Sequence, residues 1–159
     1  MIFDEWLLAL HLLSAFALMG ALTMFSIGVF ALRSAETPGK VLALQPAMRV
    51  ATVAIGVGVA GTIVFGVWLA ISLDAYQVWD LWVILALVGW AAATEIGRRG
   101  GNMFGEAVTR AETLAAEGRN EPDAELKALA GNRQAANLHW ISTAITLLVL
   151  VDMIWKPGA

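Results

Sequence analysis

The stretch RVATVAIGVGVAGTIVFGVWLAISL, residues 49–73, decides the fold of this chain. It carries no charge after Arg49, and it exceeds the roughly 20 apolar residues that a helix needs to cross a bilayer. Residues four apart lie on one helix face, and small side chains let membrane helices approach closely. The stretch therefore predicts a spanning helix that packs through one face. We call that face the small-residue ridge; its members are Ala54, Gly58, Thr62, Gly66 and Ala70.

The overall composition is that of a membrane protein. Apolar residues make up 59% of the chain and charged residues 14%, against about 45–50% and about 25% in soluble domains. The absence of cysteine excludes disulfides, thiolate catalysis and iron–sulfur clusters. No phosphate-binding loop or nucleophile–base pair occurs in the sequence, and the basic segments are mixed with acids. We therefore expect a protein that is not an enzyme and binds no nucleic acid.

Four apolar segments predict an all-α fold, an integral membrane four-helix bundle that forms one domain over residues 1–159. The spans are expected at about 4–32, 49–72, 81–96 and 138–155. Residues 41–48 are apolar but short, and we interpret them as an interfacial segment that leads into span two. Pro46 is then expected near the first turn of that span.

The polar segment 97–137 predicts a cytoplasmic helical hairpin between spans three and four. Apolar residues repeat at helical spacing on both sides of a break at residues 118–122. Gly118 suits a helix end, and Pro122 suits a first helical turn. Three glycines are expected to break or bend the first arm: Gly97, Gly100 and Gly101.

The basic residues predict the orientation of the chain. Of ten Lys and Arg, three lie between spans one and two, six lie between spans three and four, and Lys156 alone follows span four. The positive-inside rule then places both basic loops in the cytoplasm and both termini outside. The Ala- and Gly-rich composition suggests a bacterial origin, so the expected location is the bacterial inner membrane. The remaining connection is acidic and aromatic, as expected at the outer interface; it contains Asp74, Tyr76, Trp79 and Asp80.

Two histidines are the main candidates for chemistry within the membrane. His11 lies about 8 Å below Trp6 at 1.5 Å per residue. It is either a haem or copper ligand, a proton acceptor, or a neutral side chain hydrogen-bonded to another helix. His139 begins span four at the cytoplasmic side, where we interpret it as an interface residue beside Asn137 and Trp140. The depths of the two histidines should differ by about 15–20 Å, which argues against a shared metal.

Met153 is better matched to His11 in depth, because it lies near the outer end of span four. His/Met ligation suits haem, and copper(I) accepts imidazole and thioether. The sequence therefore leaves a cofactor site at His11 and Met153 open beside a packing role for both. Two carboxylates are expected in helix-end ion pairs, Asp152 with Lys156 and Glu95 with Arg98 and Arg99.

The first span carries a family resemblance. Leu10-His11-Leu12, followed by Gly20-Ala21, resembles the opening of bacterial predicted integral membrane proteins of unknown function. Those proteins are similar in turn to the CopD-like membrane domain of copper-resistance proteins. The likeness extends through Gly61-Thr62 and Gly66 to span three. It implies a four-helix membrane module with a copper or haem connection, carried here by His11. The chain departs from that pattern because it has no second histidine at the same depth.

Three functions remain open from the sequence. The leading prediction is a non-catalytic accessory or scaffold subunit of a membrane complex, in contact with the bilayer and with a partner or a second copy of the chain. The alternative is a redox or metal-handling protein that uses His11. The third is a small transporter, although no span contains the helix break expected of a substrate site.

Overall fold

The computed structural model describes residues 2–73, 77 and 79–157, and this part of the chain folds into helices without a strand. Four helical segments are long and apolar enough to cross a membrane, which is the architecture of a multi-pass membrane protein and confirms the predicted all-α four-helix bundle. Asp74 and Tyr76, which belong to the predicted outer connection, lie outside the described residues. The helices are α1 Ile2–Arg33, α2 Pro38–Ser72, α3 Leu81–Ala116, α4 Ala124–Ala130 and α5 Arg133–Trp155.

The bundle consists of two antiparallel pairs. α1 packs along most of α2, and α3 packs along α5, whereas the contact between α2 and α3 is much smaller. The described N-terminal and C-terminal residues meet at one end, here called the terminal end. The connection from α3 through α4 to α5 forms the opposite end, here called the hairpin end. Each pair is therefore extensively packed internally, and the two pairs are joined less tightly to each other.

The small-residue ridge brings α1 and α2 together. A Cβ atom added at Gly58 would lie 2.9 Å from the Leu18 Cα and 3.0 Å from its backbone nitrogen. One added at Gly66 would lie 2.8 Å from Cε1 of His11. Gly58 and Thr62 are buried. The ridge thus packs against α1 of the same chain.

Contrary to the expectation from the sequence, the glycines of α3 do not break the helix. α3 runs without interruption from Leu81 to Ala116, because Gly97 and Gly100 allow close contact with α5. A Cβ at Gly97 would lie 2.9 Å from the Ser142 hydroxyl oxygen, and one at Gly100 would lie 3.2 Å from the Ala135 carbonyl oxygen. The gain in packing offsets the roughly 1 kcal/mol that glycine costs in a helix interior.

The predicted interfacial segment 41–48 is also part of a continuous helix. α2 begins at Pro38, so Pro46 lies in its interior and not near its first turn. Val41, on that added segment, is 1% exposed within an apolar core at the hairpin end. Burial of this segment against its neighbours explains why the helix extends beyond the length that a membrane requires. This core also includes Val29, Leu32, Phe104, Leu114 and Leu126.

The hairpin follows the sequence prediction with one difference. Gly118 has φ +72°, which suits a residue just beyond a helix end, and α3 ends two residues before it. α4 begins at Ala124, so Pro122 precedes the helix and does not lie in its first turn. Asp123 is the N-cap residue, and its carboxylate accepts a hydrogen bond of 2.8 Å from the Leu126 backbone N–H. The same carboxylate lies 3.1 Å from Nη2 of Arg110.

These two contacts predict an acid-sensitive hairpin. The hydrogen bond from the Leu126 N–H, and then the Arg110 guanidinium, hold the pKa of Asp123 below its ordinary value of 3.8. A depressed pKa gives stability that is present above the unfolded-state pKa and is lost as the pH falls through the folded-state pKa. We expect thermal stability to fall below about pH 4, as circular dichroism melts between pH 2.5 and 6 can measure. Asp123→Asn should flatten part of this dependence, because its amide oxygen still accepts from the Leu126 N–H but cannot ionise.

The control for this experiment is Glu121→Gln, which removes an exposed carboxylate three residues before the helix. It should leave the acid dependence close to that of the wild type. An Asp123→Asn variant whose melting temperature falls with acid as steeply as the wild-type value would contradict the assignment to Asp123.

Tryptophans mark a membrane-sized slab of the bundle. Trp6 near the start of α1 is 66% exposed, and Trp155 at the end of α5 is 80% exposed. Ser26 lies 20 residues after Trp6 and touches His139, which is adjacent to the exposed Trp140. Twenty helical residues span about 30 Å, the thickness of a hydrocarbon core. The terminal-end part of the bundle therefore matches a bilayer in length, and the hairpin end extends beyond it.

Candidate functional site

An apolar cavity of about 660 Å³ lies within the terminal end of the bundle. Its walls come from α1, α2, α3 and α5, so it occupies the space where the two helix pairs diverge. Below it, towards the hairpin end, Leu18, Ala86, Trp90 and Val149 pack as a small buried core. Sites for small ligands usually enclose about 300–1,000 Å³ and combine apolar walls with a few polar groups. This cavity has that size and that kind of lining.

His11 is the polar side chain of the α1 wall. Its Nδ1 lies 2.9 Å from the Thr62 carbonyl oxygen. A carbonyl oxygen only accepts hydrogen bonds, so Nδ1 carries the proton and donates it. The apolar surroundings do not stabilise a charged ring, and in the neutral ring Nε2 then carries a lone pair. The structure therefore fixes the tautomer of His11 and leaves Nε2 as a hydrogen-bond acceptor or metal ligand.

Two further polar groups on the cavity walls have no partner among the described residues. The Oγ1 atom of Thr62 and the Nε1 atom of Trp90 are buried and make no hydrogen bond. Thr62 is 0% exposed and Trp90 is 2% exposed, and both residues line the cavity. A buried polar group without a partner costs about 1–3 kcal/mol. Both atoms are covered even from the cavity side, so a bound oxygen atom would remove that cost only after the side chain turned towards it.

Met153 lies on the α5 wall of the same cavity as His11, and a shared cofactor at the two residues stays a prediction. The expected ion pair between Asp152 and Lys156 is not formed within the described region. Oδ2 of Asp152 is buried without a hydrogen bond, and Nζ of Lys156 lies 5.5 Å from the centroid of the Trp82 ring. Lysine and tryptophan thus meet on the cavity wall, where the Asp4 carboxylate also accepts a hydrogen bond from the Ser72 hydroxyl.

His139 belongs to a different site. Its Nε2 lies 2.9 Å from Oγ of Ser26, whose own hydroxyl hydrogen is donated to the Leu22 carbonyl at 2.8 Å. Ser26 can therefore only accept, so Nε2 of His139 is the donor. The ring is buried against Phe25 and Trp140. It is thus a buried polar link between α5 and α1, beside Trp140.

The two histidines are too far apart for one metal. His11 and Ser26, the partner of His139, are separated by 15 residues along α1, which is about 22 Å. Within the described part of the chain, no three His, Asp or Glu side chains form a group that could hold a metal ion. The predicted pair His11 and Met153 supplies two candidate ligands to the terminal-end cavity.

A second concavity lies on the hairpin and suits a ligand less well. It is a groove of about 550 Å³ along α3 and α4. Arg110, its main cation, already lies 3.1 Å from both the Asp123 and the Glu125 carboxylates. The groove therefore holds charges that satisfy each other. Glu95, nearer the membrane, is paired with Arg98 and Arg99 as predicted, at 2.9 and 2.7 Å.

Sequence reasoning missed Trp90, Thr62 and Ser26 as parts of polar sites. Trp90 did carry a signal, because a tryptophan in the middle of a span lies away from the interfaces where this residue is enriched. Its indole N–H then needs a partner inside the protein. Ser26 of α1 and His139 of α5 lie at the same depth in the bundle. A comparison of the depths of polar residues in the two spans would have suggested their contact.

Comparison with protein-family models, curated proteins and solved structures finds no match to this chain. The resemblance to the CopD-like domain stays a prediction.

Proposed function

We propose that this protein is a non-catalytic membrane protein that binds a small lipophilic molecule in the cavity at the terminal end. The observation that carries the proposal is a partly open cavity of about 660 Å³ whose mainly apolar walls also include His11, Thr62 and Trp90. Apolar walls suit a molecule that partitions into the bilayer, and the few polar groups give it a fixed orientation.

The accessory-subunit hypothesis has weaker support from the geometry. It depended on the small-residue ridge as a surface for a partner, and the ridge is covered by α1 at Gly58 and Gly66. Lipid-facing side chains of the bundle are ordinary in a membrane protein and indicate no particular partner. Association with a complex or a second copy stays a prediction, and the cavity provides the more specific argument.

Filling the cavity tests the proposal. Ala15 lines the cavity, whereas Ala17, on the same helix, does not and is exposed. Ala15→Phe should remove most of the bound lipophilic molecules that co-purify with the wild-type protein, because the phenyl ring takes up their space. Ala17→Phe should retain them. Native mass spectrometry of protein extracted in mild detergent, with solvent extraction of the bound material, measures both. Equal loading of the two variants would contradict the proposal.

A second candidate is a haem or copper site at His11, because metal-ligating histidines usually donate their other N–H to a carbonyl or carboxylate. His11 does so through Nδ1 to Thr62, and Met153 lines the same cavity. A nitrogen and a thioether sulfur would suit haem iron or copper(I) as ligands, and they are too few for a structural zinc site. When bound, such a group would supply one-electron redox chemistry.

The expected result for that candidate is a haem absorption band or near-stoichiometric copper in protein purified from its membrane. His11→Ala should abolish the signal, and His139→Ala should spare it. If the purified protein contains neither haem nor copper, the metal or haem site at His11 is rejected.

We assign both termini to the outer side of a bacterial inner membrane on the basis of the charge distribution. Nine of the ten basic residues lie in the two segments at the hairpin side of the spans. In this orientation the cavity opens towards the outer leaflet. Because the chain contains no cysteine, single cysteines at Gln77 and at Thr109 give a direct test. An impermeant maleimide applied to intact cells should label the first and not the second.

A further inference from the structure

We propose that the ligand of the terminal-end cavity is a lipophilic phenol-type molecule, with a ring hydroxyl that donates to Nε2 of His11 and an oxygen that accepts from Trp90. This inference rests on the proposed binding function and specifies its ligand class. The geometric basis is that three residues lining one apolar cavity carry unused hydrogen-bonding capacity: His11 has an acceptor at Nε2, and Thr62 and Trp90 each have a buried donor without a partner among the described residues.

The acceptor is Nε2 of His11. Thr62 binds the opposite nitrogen, Nδ1, at 2.9 Å through its carbonyl oxygen. The ring is packed against Gly66, where an added Cβ would lie 2.8 and 2.9 Å from Cε1 and Nδ1 but 3.9 Å from Nε2. Nδ1 is therefore held on the side of α2, and Nε2 lies further from that helix. A group that meets Nε2 must bring a hydrogen, which a hydroxyl does and a carbonyl or ether does not.

The main donor is the indole N–H of Trp90, which accepts nothing itself. Trp90 is 2% exposed and its Nε1 has no partner within the described residues. An oxygen atom of the ligand can become its partner when the indole turns its N–H towards the cavity, since Nε1 itself is covered. The unpartnered hydroxyl of Thr62 is a second group that an oxygen can satisfy. A hydroxyl on a ring both donates and accepts, so one functional group matches the chemistry of both walls.

A phospholipid acyl chain matches the cavity less well. Its methylene groups would satisfy the apolar walls but would leave Nε2 of His11, Oγ1 of Thr62 and Nε1 of Trp90 without partners. His11 lies about five residues below Trp6, so these groups are well below the headgroup level. A ligand with a polar ring and an apolar tail places its oxygen atoms at that depth.

Three probes separate these alternatives: 4-decylphenol, 4-decylanisole and decylbenzene. All three have the same ring and the same decyl tail. The phenol both donates and accepts a hydrogen bond, the anisole only accepts one, and decylbenzene does neither. Their dissociation constants for the full-length protein in detergent micelles are compared by calorimetry, expressed as mole fractions in the micelle so that partitioning does not enter. We expect the phenol to bind about tenfold more tightly than the anisole, the upper range of one net hydrogen bond.

Each polar wall has its own variant. The His11→Asn amide reaches about as far as Nδ1, so it can keep the bond to Thr62 while Nε2 is lost. The preference for phenol over anisole should then fall to about twofold or less. Trp90→Phe removes the N–H and keeps a ring, so it should weaken phenol and anisole alike relative to decylbenzene. Trp68→Phe is the matched control, since Trp68 is half exposed and outside the cavity lining.

The outcomes distinguish the two proposals. If the wild type binds none of the three probes, the binding function fails and the ligand class fails with it. If it binds all three with equal affinity and Ala15→Phe abolishes this binding, the cavity takes an acyl chain or hydrocarbon, and only the phenol inference is overturned. A stoichiometric haem or copper signal that His11→Asn removes would assign Nε2 to a metal and also overturn the inference. If His11→Asn does not fold, Trp90→Phe decides. A Trp90→Phe protein that still binds phenol and anisole more tightly than decylbenzene, by the wild-type ratio, would overturn the phenol inference.

Discussion

Gly58→Leu is expected to separate α1 from α2 while leaving both of them helical. A Cβ at position 58 would already lie 2.9 Å from the Leu18 Cα, and the atom in the way is backbone, which cannot rotate aside as a side chain can. Overpacking by single methylene groups usually costs about 1–3 kcal/mol, and leucine adds three further carbons beyond Cβ. We therefore expect a loss of at least about 3 kcal/mol in the free energy of unfolding.

Gly56→Leu is the matched control for this result. Gly56 lies on the same helix two residues earlier, and an added Cβ there would meet nothing within 4 Å. Both variants make the same chemical change, so helix propensity and added apolar surface cancel in the comparison. Unfolding by titration of sodium dodecyl sulfate into mixed micelles, followed by tryptophan fluorescence, gives both free energies. Similar unfolding curves for the two variants would show that α1 does not pack on this face of α2.

Leu126→Ala is expected to release α4 from the bundle. Leu126 is 0% exposed and is one of only two buried residues in this seven-residue helix. A helix this short is not stable without tertiary packing. Because the hairpin end extends beyond the membrane-sized slab, burial of a leucine there removes apolar surface from water, and leucine-to-alanine changes in such cores cost about 2–5 kcal/mol.

Amide hydrogen exchange measures this effect locally. In Leu126→Ala the amides of α4 should lose protection, whereas those of α1 and α2 near the terminal end should keep it. Lys127→Ala is the control on the same helix. It removes an exposed ion pair of 2.7 Å with Glu36, and exposed pairs contribute about 0–1 kcal/mol. Unchanged protection of α4 in Leu126→Ala would be incompatible with this account of the hairpin core.

The sequence predicted which residues share one face of a helix, but it did not predict which other helix packs against that face. A repeat of four residues is enough to locate the small-residue ridge on α2, since helical geometry is local. It does not say which helix covers the ridge, and α1 of the same chain does so at Leu18 and His11. The same limit applies to Gly97 and Gly100. Their local preference favours a helix break, and only the distant α5 explains why α3 continues through them.

The candidate site shows the same limit: depth along a helix can be predicted from the sequence, and contacts between helices cannot. Counting residues from the interface placed His11 and Met153 at one depth, and both line the cavity. Depth gives the height of a residue in the membrane but not its direction around the helix. For that reason the pairing of His139 with Ser26, and the burial of Trp90 beside the cavity, required the packed helices.

The division of the bundle into two helix pairs has a consequence for its biosynthesis. α1 and α2 pack mainly with each other, and so do α3 and α5. The first pair can therefore insert and associate while the ribosome is still making the second. The cavity takes walls from both pairs, so it does not exist in a chain truncated before α5. Ligand occupancy would then distinguish finished molecules from partly synthesised ones, and a bound ligand would protect only the former from membrane quality-control proteases.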